Sequence, residues 1–127
     1  MNPEHAEPAA AIKVARAAYP NLTPSGFATT DKTLADDQFS HEEIATALAF
    51  LKQCKPIKHP SRGSYGLKHM AEDWGEAHGL AGYVSNGALI VAAVALGFPI
   101  RRVGLNAGIA ISRLDLKRVM KSFKNSW

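Results

Sequence analysis

An α+β fold, mostly helical, is what this sequence predicts, on three observations. Residues 88–96 carry no polar side chain. Stretches on either side of that run repeat apolar residues at helical spacing behind recognisable start signals. Two short β-like runs, 99–103 and 108–112, flank a link that contains glycine and asparagine.

The apolar run sets the plan. Nine residues are too few to cross a bilayer, which takes about twenty, and a helix apolar on every side must be buried on every side. Leu89, Ile90, Val91, Val94 and Leu96, at about 1.5–3 kcal/mol each, give roughly 7–15 kcal/mol of gross burial. That matches the net stability of a whole domain, so the other elements must enclose this helix. Ser85 stands as its N-cap and Gly97 as its terminating glycine.

In chain order, residues 1–8 read as a disordered start. Residues 9–19 are rich in helix formers between Pro8 and Pro20, with a thin apolar face of Ile12, Ala15 and Tyr19. Residues 20–38, with Pro20, Pro24 and Gly26, read as an irregular connection. Residues 1–38 are therefore expected to form an N-terminal arm, partly helical, beside one domain at 39–127.

Ser40 and Glu43 make a capping box, with Phe39 and Ile44 as its hydrophobic staple. Ile44, Ala47, Leu48 and Leu51 form the core-facing stripe of the helix that follows, and Pro56 closes it. A basic, proline-broken loop leads to a helix with Ser64 as expected cap and Leu67, Met70, Ala71 and Trp74 as its stripe. Lys68 and Glu72 are expected to pair at i, i+4 on its wet side, and Gly79 to end it. After the hairpin, a last helix begins near Ser112. Leu116, Val119, Met120 and Phe123 face inward, and Lys117, Lys121 and Lys124 line the other side beside Arg118.

The chain of 127 residues carries a net charge of +4, distributed unevenly. Residues 1–50 hold three basic and seven acidic groups, and residues 101–127 hold seven and one. That asymmetry points to an anionic partner for the C-terminal part; a solvated basic helix that binds nothing is the plain alternative. The lone Cys54 rules out an internal disulfide and fits a reducing compartment. The start of the chain has acids and no apolar run, so no secretory signal is expected and the cytoplasm is the expected location.

Helix, helix, buried helix, β-hairpin, helix is similar in architecture to a winged helix-turn-helix domain. Such a domain touches phosphates with its wing and helix N-termini and lays one helix in the major groove. The expected nucleic-acid contacts are Arg62, Ser64, Asn86, Arg101, Arg102, Lys117, Lys121 and Lys124. Arg62 and Ser64 open a helix, where free N–H groups suit a phosphate. Arg101 and Arg102 are adjacent in a strand and so point to opposite faces. Asn86, with Ser85 beside it, is what the apolar helix offers to base edges. Glu72, Asp73 and Glu76 on the helix before it would repel phosphates, so backbone contacts with weak sequence selectivity are expected.

No cofactor, metal or catalytic motif is expected. His69 shares a helix face with Glu72 and Asp73, but neither His-Glu-x-x-His nor paired cysteines is present. Cys54 lies beside Lys52 and Lys55 with no histidine assigned to it. The competing expectation is a protein-binding module or homodimer anchored by Trp74, Trp127 or Tyr83. A membrane surface is not expected as partner, because the last helix needs its apolar stripe for the core.

Overall fold

The structure is a computed structural model that describes residues 7–28 and 38–124, with side chains through residue 121. The side chains of Phe123 and Lys124, and Trp127 as a whole, lie outside the described residues. The described chain is α+β. Its helices are α1 (Pro8–Ala18), α2 (His41–Leu51), α3 (Ser64–Ala77), α4 (Asn86–Ala95) and α5 (Arg113–Lys124). Two small antiparallel sheets accompany them. In the first, β1 (Leu22–Thr23) pairs with β2 (Gly26–Phe27). In the second, β3 (Arg62–Gly63), β4 (Ile100–Val103) and β5 (Asn106–Ile109) lie in the spatial order β3–β5–β4.

The apolar helix is the hub, as its composition requires. Every α4 residue is buried except Val94, which is half-buried. α1, α2 and α3 pack around it, with β2 closing one side. The Ser85 hydroxyl accepts the Ala88 N–H at 3.1 Å, and Gly97 ends the helix at a φ of 87°. Ser40 caps α2 by accepting the Glu43 N–H at 3.4 Å. Glu43 departs from the capping box, however, because its carboxylate accepts the Ser85 N–H at 2.8 Å. The start of α2 is thereby tied to the start of α4.

Residues 8–27 form a layer of the core where an N-terminal arm beside the domain was expected. Ala11, Ile12, Ala15, Leu22 and Phe27 are completely buried in the same apolar cluster as α4. The thin face of α1 suffices because α4 is also alanine-rich, so the two backbones can approach closely. The stretch expected to be irregular holds the β1–β2 hairpin, and its turn packs directly on α4. A Cβ on Gly87 would collide with the Thr23 carbonyl oxygen, and Gly87 N–H donates to Pro24 O at 2.9 Å.

The β4–β5 hairpin turns on two residues, Gly104 and Leu105, with Gly104 at a φ of 59°. Glycine at the first of two turn positions is what a tight turn of this length favours. The second strand therefore starts at Asn106, earlier than the alternation of Ile109 and Ile111 implied. Ile111 pairs only through an isolated bridge to Pro56.

Candidate nucleic-acid interface

α5 is amphipathic and docks by one side only. Leu116, Val119 and Met120 are buried, while Arg113, Leu114, Lys117, Arg118 and Lys121 are exposed. Its start is fixed by the basic loop. Lys55 N–H donates to Asp115 Oδ2 at 2.9 Å, Ser112 N–H to Lys55 O at 2.9 Å, and Arg118 Nη2 to Gln53 O at 2.9 Å. The single acid of this helix is thus occupied by a backbone N–H, with the Arg118 guanidinium 3.8 Å away. Apart from the exposed Leu114, what the helix presents outward is cationic.

Between α3 and α5 lies a depression of about 270 Å³, lined by Arg62, Arg113 and Lys117 together with Met70, Leu116 and Met120. Two features place the arginines there. Arg62 sits on the edge strand β3, in register with Ile109, and its Nη2 reaches Met70 Sδ at 3.5 Å. Arg113 is held by two hydrogen bonds from Nε and Nη2 to Ser61 O, at 3.2 and 2.9 Å. Lys117 also borders a second, more open depression of about 490 Å³, shared with Leu114, Asp115, Arg118 and Lys121. Three arginines and two lysines therefore form a cationic band along α5 and the end of β3. Arg113 was missed from the sequence although it stands one helical turn before Lys117, and that spacing was the available signal.

The other expected contacts lie elsewhere. Ser64 is completely buried; it is the first residue of α3, and its hydroxyl turns inward to accept Ala107 N–H at 3.0 Å. Asn86 is 8 % exposed and serves as an internal clamp. Its Nδ2 lies 3.2 Å from Ser25 O, 3.4 Å from Leu105 O and 2.9 Å from Asn106 Oδ1, which joins both hairpin turns to α4. An asparagine so committed presents no amide to a base edge. Arg102 is exposed but engaged, donating to Ala28 O at 3.0 Å with its guanidinium 4.9 Å from the centre of the Phe27 ring. Arg101 points to the opposite sheet face, away from Arg102, as strand alternation requires. Neither borders the α5 depressions.

A second cluster, on the side of α3 toward Tyr83, was not foreseen. Lys68 forms its expected pair with Glu72 at 3.1 Å, but it is 6 % exposed rather than on the wet side. The rings of Tyr65 and Tyr83 cover it, with the ammonium 5.4 and 5.0 Å from their centres. Burial would raise the Glu72 carboxyl, yet the Val84 N–H, the Lys68 ammonium and His69 outweigh it and hold the group below its usual value. Both tyrosines remain largely exposed. Trp74, by contrast, is a core residue stacked on His78 and packed against Phe50.

His69 points to Glu72 and His78 donates to Trp74 O, so the histidines do not converge. Among the described residues no three His, Cys, Asp or Glu side chains are grouped as a metal site would need. No helix among them is long and apolar enough to cross a membrane. Comparisons with protein-family models, with curated proteins and with solved structures found no match for this chain.

Proposed function

We propose that this chain is a non-enzymatic nucleic-acid-binding module that holds phosphates on α5 and does not read bases with α4. The observation that carries the proposal is the gathering of Arg62, Arg113 and Lys117 around one depression, continued by Arg118 and Lys121. Arginine forks suit phosphate oxygens, and fixed guanidinium groups lose little freedom on binding.

The winged helix-turn-helix reading is supported by topology. A strand between the first two helices of residues 39–127 pairs with the last strand of the hairpin, in the order β3–β5–β4. In that arrangement α4 holds the place of the groove-reading helix and the Gly104–Leu105 turn that of the wing tip. Here α4 is covered by α1, and the β1–β2 hairpin bonds to the wing tip through Phe27 N–H and Leu105 O at 3.0 Å. Phosphate contacts from α5 are what this chain leaves available.

The non-enzymatic reading is supported by Cys54, whose buried thiol is pushed up to about 11, chiefly by burial and then by Asp115. A thiol in that state is a poor nucleophile at neutral pH. The location proposed is the cytoplasm, where such a partner is found.

The test is fluorescence anisotropy with short labelled oligonucleotides across a salt series. Three to four phosphate contacts predict that log K falls with log salt at a slope of about −2 to −3 for single strands and about −3 to −4 for a duplex. Absence of binding at low salt removes the proposal. A second reading, a protein interface or homodimer, is favoured by the adjacent Tyr65 and Tyr83, which are 57 % and 60 % exposed. A dimer in light scattering that ignores oligonucleotides selects that reading instead.

A further inference from the structure

We propose that the depression between α3 and α5 takes one unstacked base of a single strand, while Arg62, Arg113 and Lys117 hold the adjoining phosphate. This rests on the nucleic-acid reading above and narrows it from any phosphate backbone to single-stranded nucleic acid.

Two observations carry it together. The rim of the depression is cationic, whereas its floor, Met70, Leu116 and Met120, is apolar. A site built only for phosphate has no use for an apolar floor, and a purely apolar site has no use for three cations. A flat ring bearing an anionic group satisfies both halves. The size agrees: about 270 Å³ is at the small end of ligand pockets, and a cavity of about 150 Å³ already holds benzene. Thioethers are soft and mobile enough to fit rings of different outline, and they contact aromatic rings favourably. The floor therefore tolerates any base, in keeping with weak sequence selectivity.

The single strand follows from stacking. In a duplex both faces of each base are covered, so a base enters a pocket only after it is pulled from the stack, at an energetic cost. A single strand offers its bases already splayed. The element that holds the groove-reading place, α4, is itself buried under α1.

The experiment uses the full chain with ¹³C-methyl methionine. The sequence has three methionines, of which Met70 and Met120 line the depression, so the spectrum is simple. The probes are oligothymidylate, an abasic strand of equal length and charge, and a duplex of the same length, all at low salt. The proposal predicts upfield shifts of the Met70 and Met120 methyls with oligothymidylate and not with the abasic strand. It also predicts binding of the abasic strand about tenfold weaker, and a duplex weaker than oligothymidylate. Met70→Ala, at a half-buried position, should shrink the difference between oligothymidylate and the abasic strand. Equal binding of both strands with unmoved methyls overturns base insertion and leaves phosphate binding intact. Failure of all three probes to bind overturns this proposal and the reading beneath it together.

Discussion

Lys68 is the residue whose setting departs furthest from its sequence pattern. A lysine spaced one turn from a glutamate reads as a solvent-facing pair, and most such pairs contribute about 0.3–0.5 kcal/mol. Here two tyrosine rings exclude water from the ammonium, and Glu72 also accepts the Val84 N–H at 3.0 Å. Removing one partner strands the other, so Glu72→Gln should cost about 2–3 kcal/mol in urea denaturation. The pH dependence has a definite sign. A carboxyl held below its unfolded value stabilises the fold at pH values above that unfolded value, and the contribution is lost as pH falls through the folded value. Wild type should therefore lose stability in acid more steeply than Glu72→Gln; parallel curves would remove Glu72 from the acid response. Cys54 gives a second check at this scale. With its thiol pushed up to about 11, it should react with a thiol reagent at neutral pH far more slowly than a free cysteine, and labelling of the native protein as fast as a free thiol would contradict its setting.

Among the elements, the tightest joint is where the β1–β2 turn meets the start of α4. Gly26 adopts a φ of 118°, and a Cβ there would strike the Leu105 carbonyl and the Asn86 amide. Gly87 has no room for a Cβ against Thr23 and Pro24 backbone. Gly87→Ala should thus destabilise by about 3 kcal/mol or more, whereas Gly63→Ala, with open space around it at the N-cap of α3, should cost no more than about 1 kcal/mol; equal melting temperatures for the two would contradict the close packing. The helices were legible because caps and apolar periodicity are local signals: Ser40, Ser85 and Gly97 do what their positions imply, whereas Ser64, expected as a cap, lies inside α3 behind Gly63. The two-residue strands β1, β2 and β3 were not, since no alternation can be read over two residues. Their pairing depends on partners distant in sequence, as β3 does on Ile109 and Gly108. Asn86 shows the same limit for the candidate site: its helix-start position was visible, but the three oxygens around its amide come from the Ser25 and Leu105 turns and the first residue of β5.

At the scale of the whole molecule, charge asymmetry was readable in the composition, but its division among surfaces was not. Arg102 is spent on the first hairpin, Arg101 faces away, and Arg113 joins Arg62 through the fold alone. Charge reversal should follow that division. Lys117→Glu should weaken oligonucleotide binding and reduce the salt slope by about one unit or more, while Arg101→Glu should leave both nearly unchanged; an equal loss in the two variants would argue for a diffuse electrostatic effect. The most direct test is a map of backbone amide shifts on adding an oligonucleotide at low salt. Perturbations should concentrate at residues 61–63, around Met70 and at 112–121, and leave 86–95 still. Shifts centred on α4 and the Gly104–Leu105 turn, with α5 unmoved, would contradict the account.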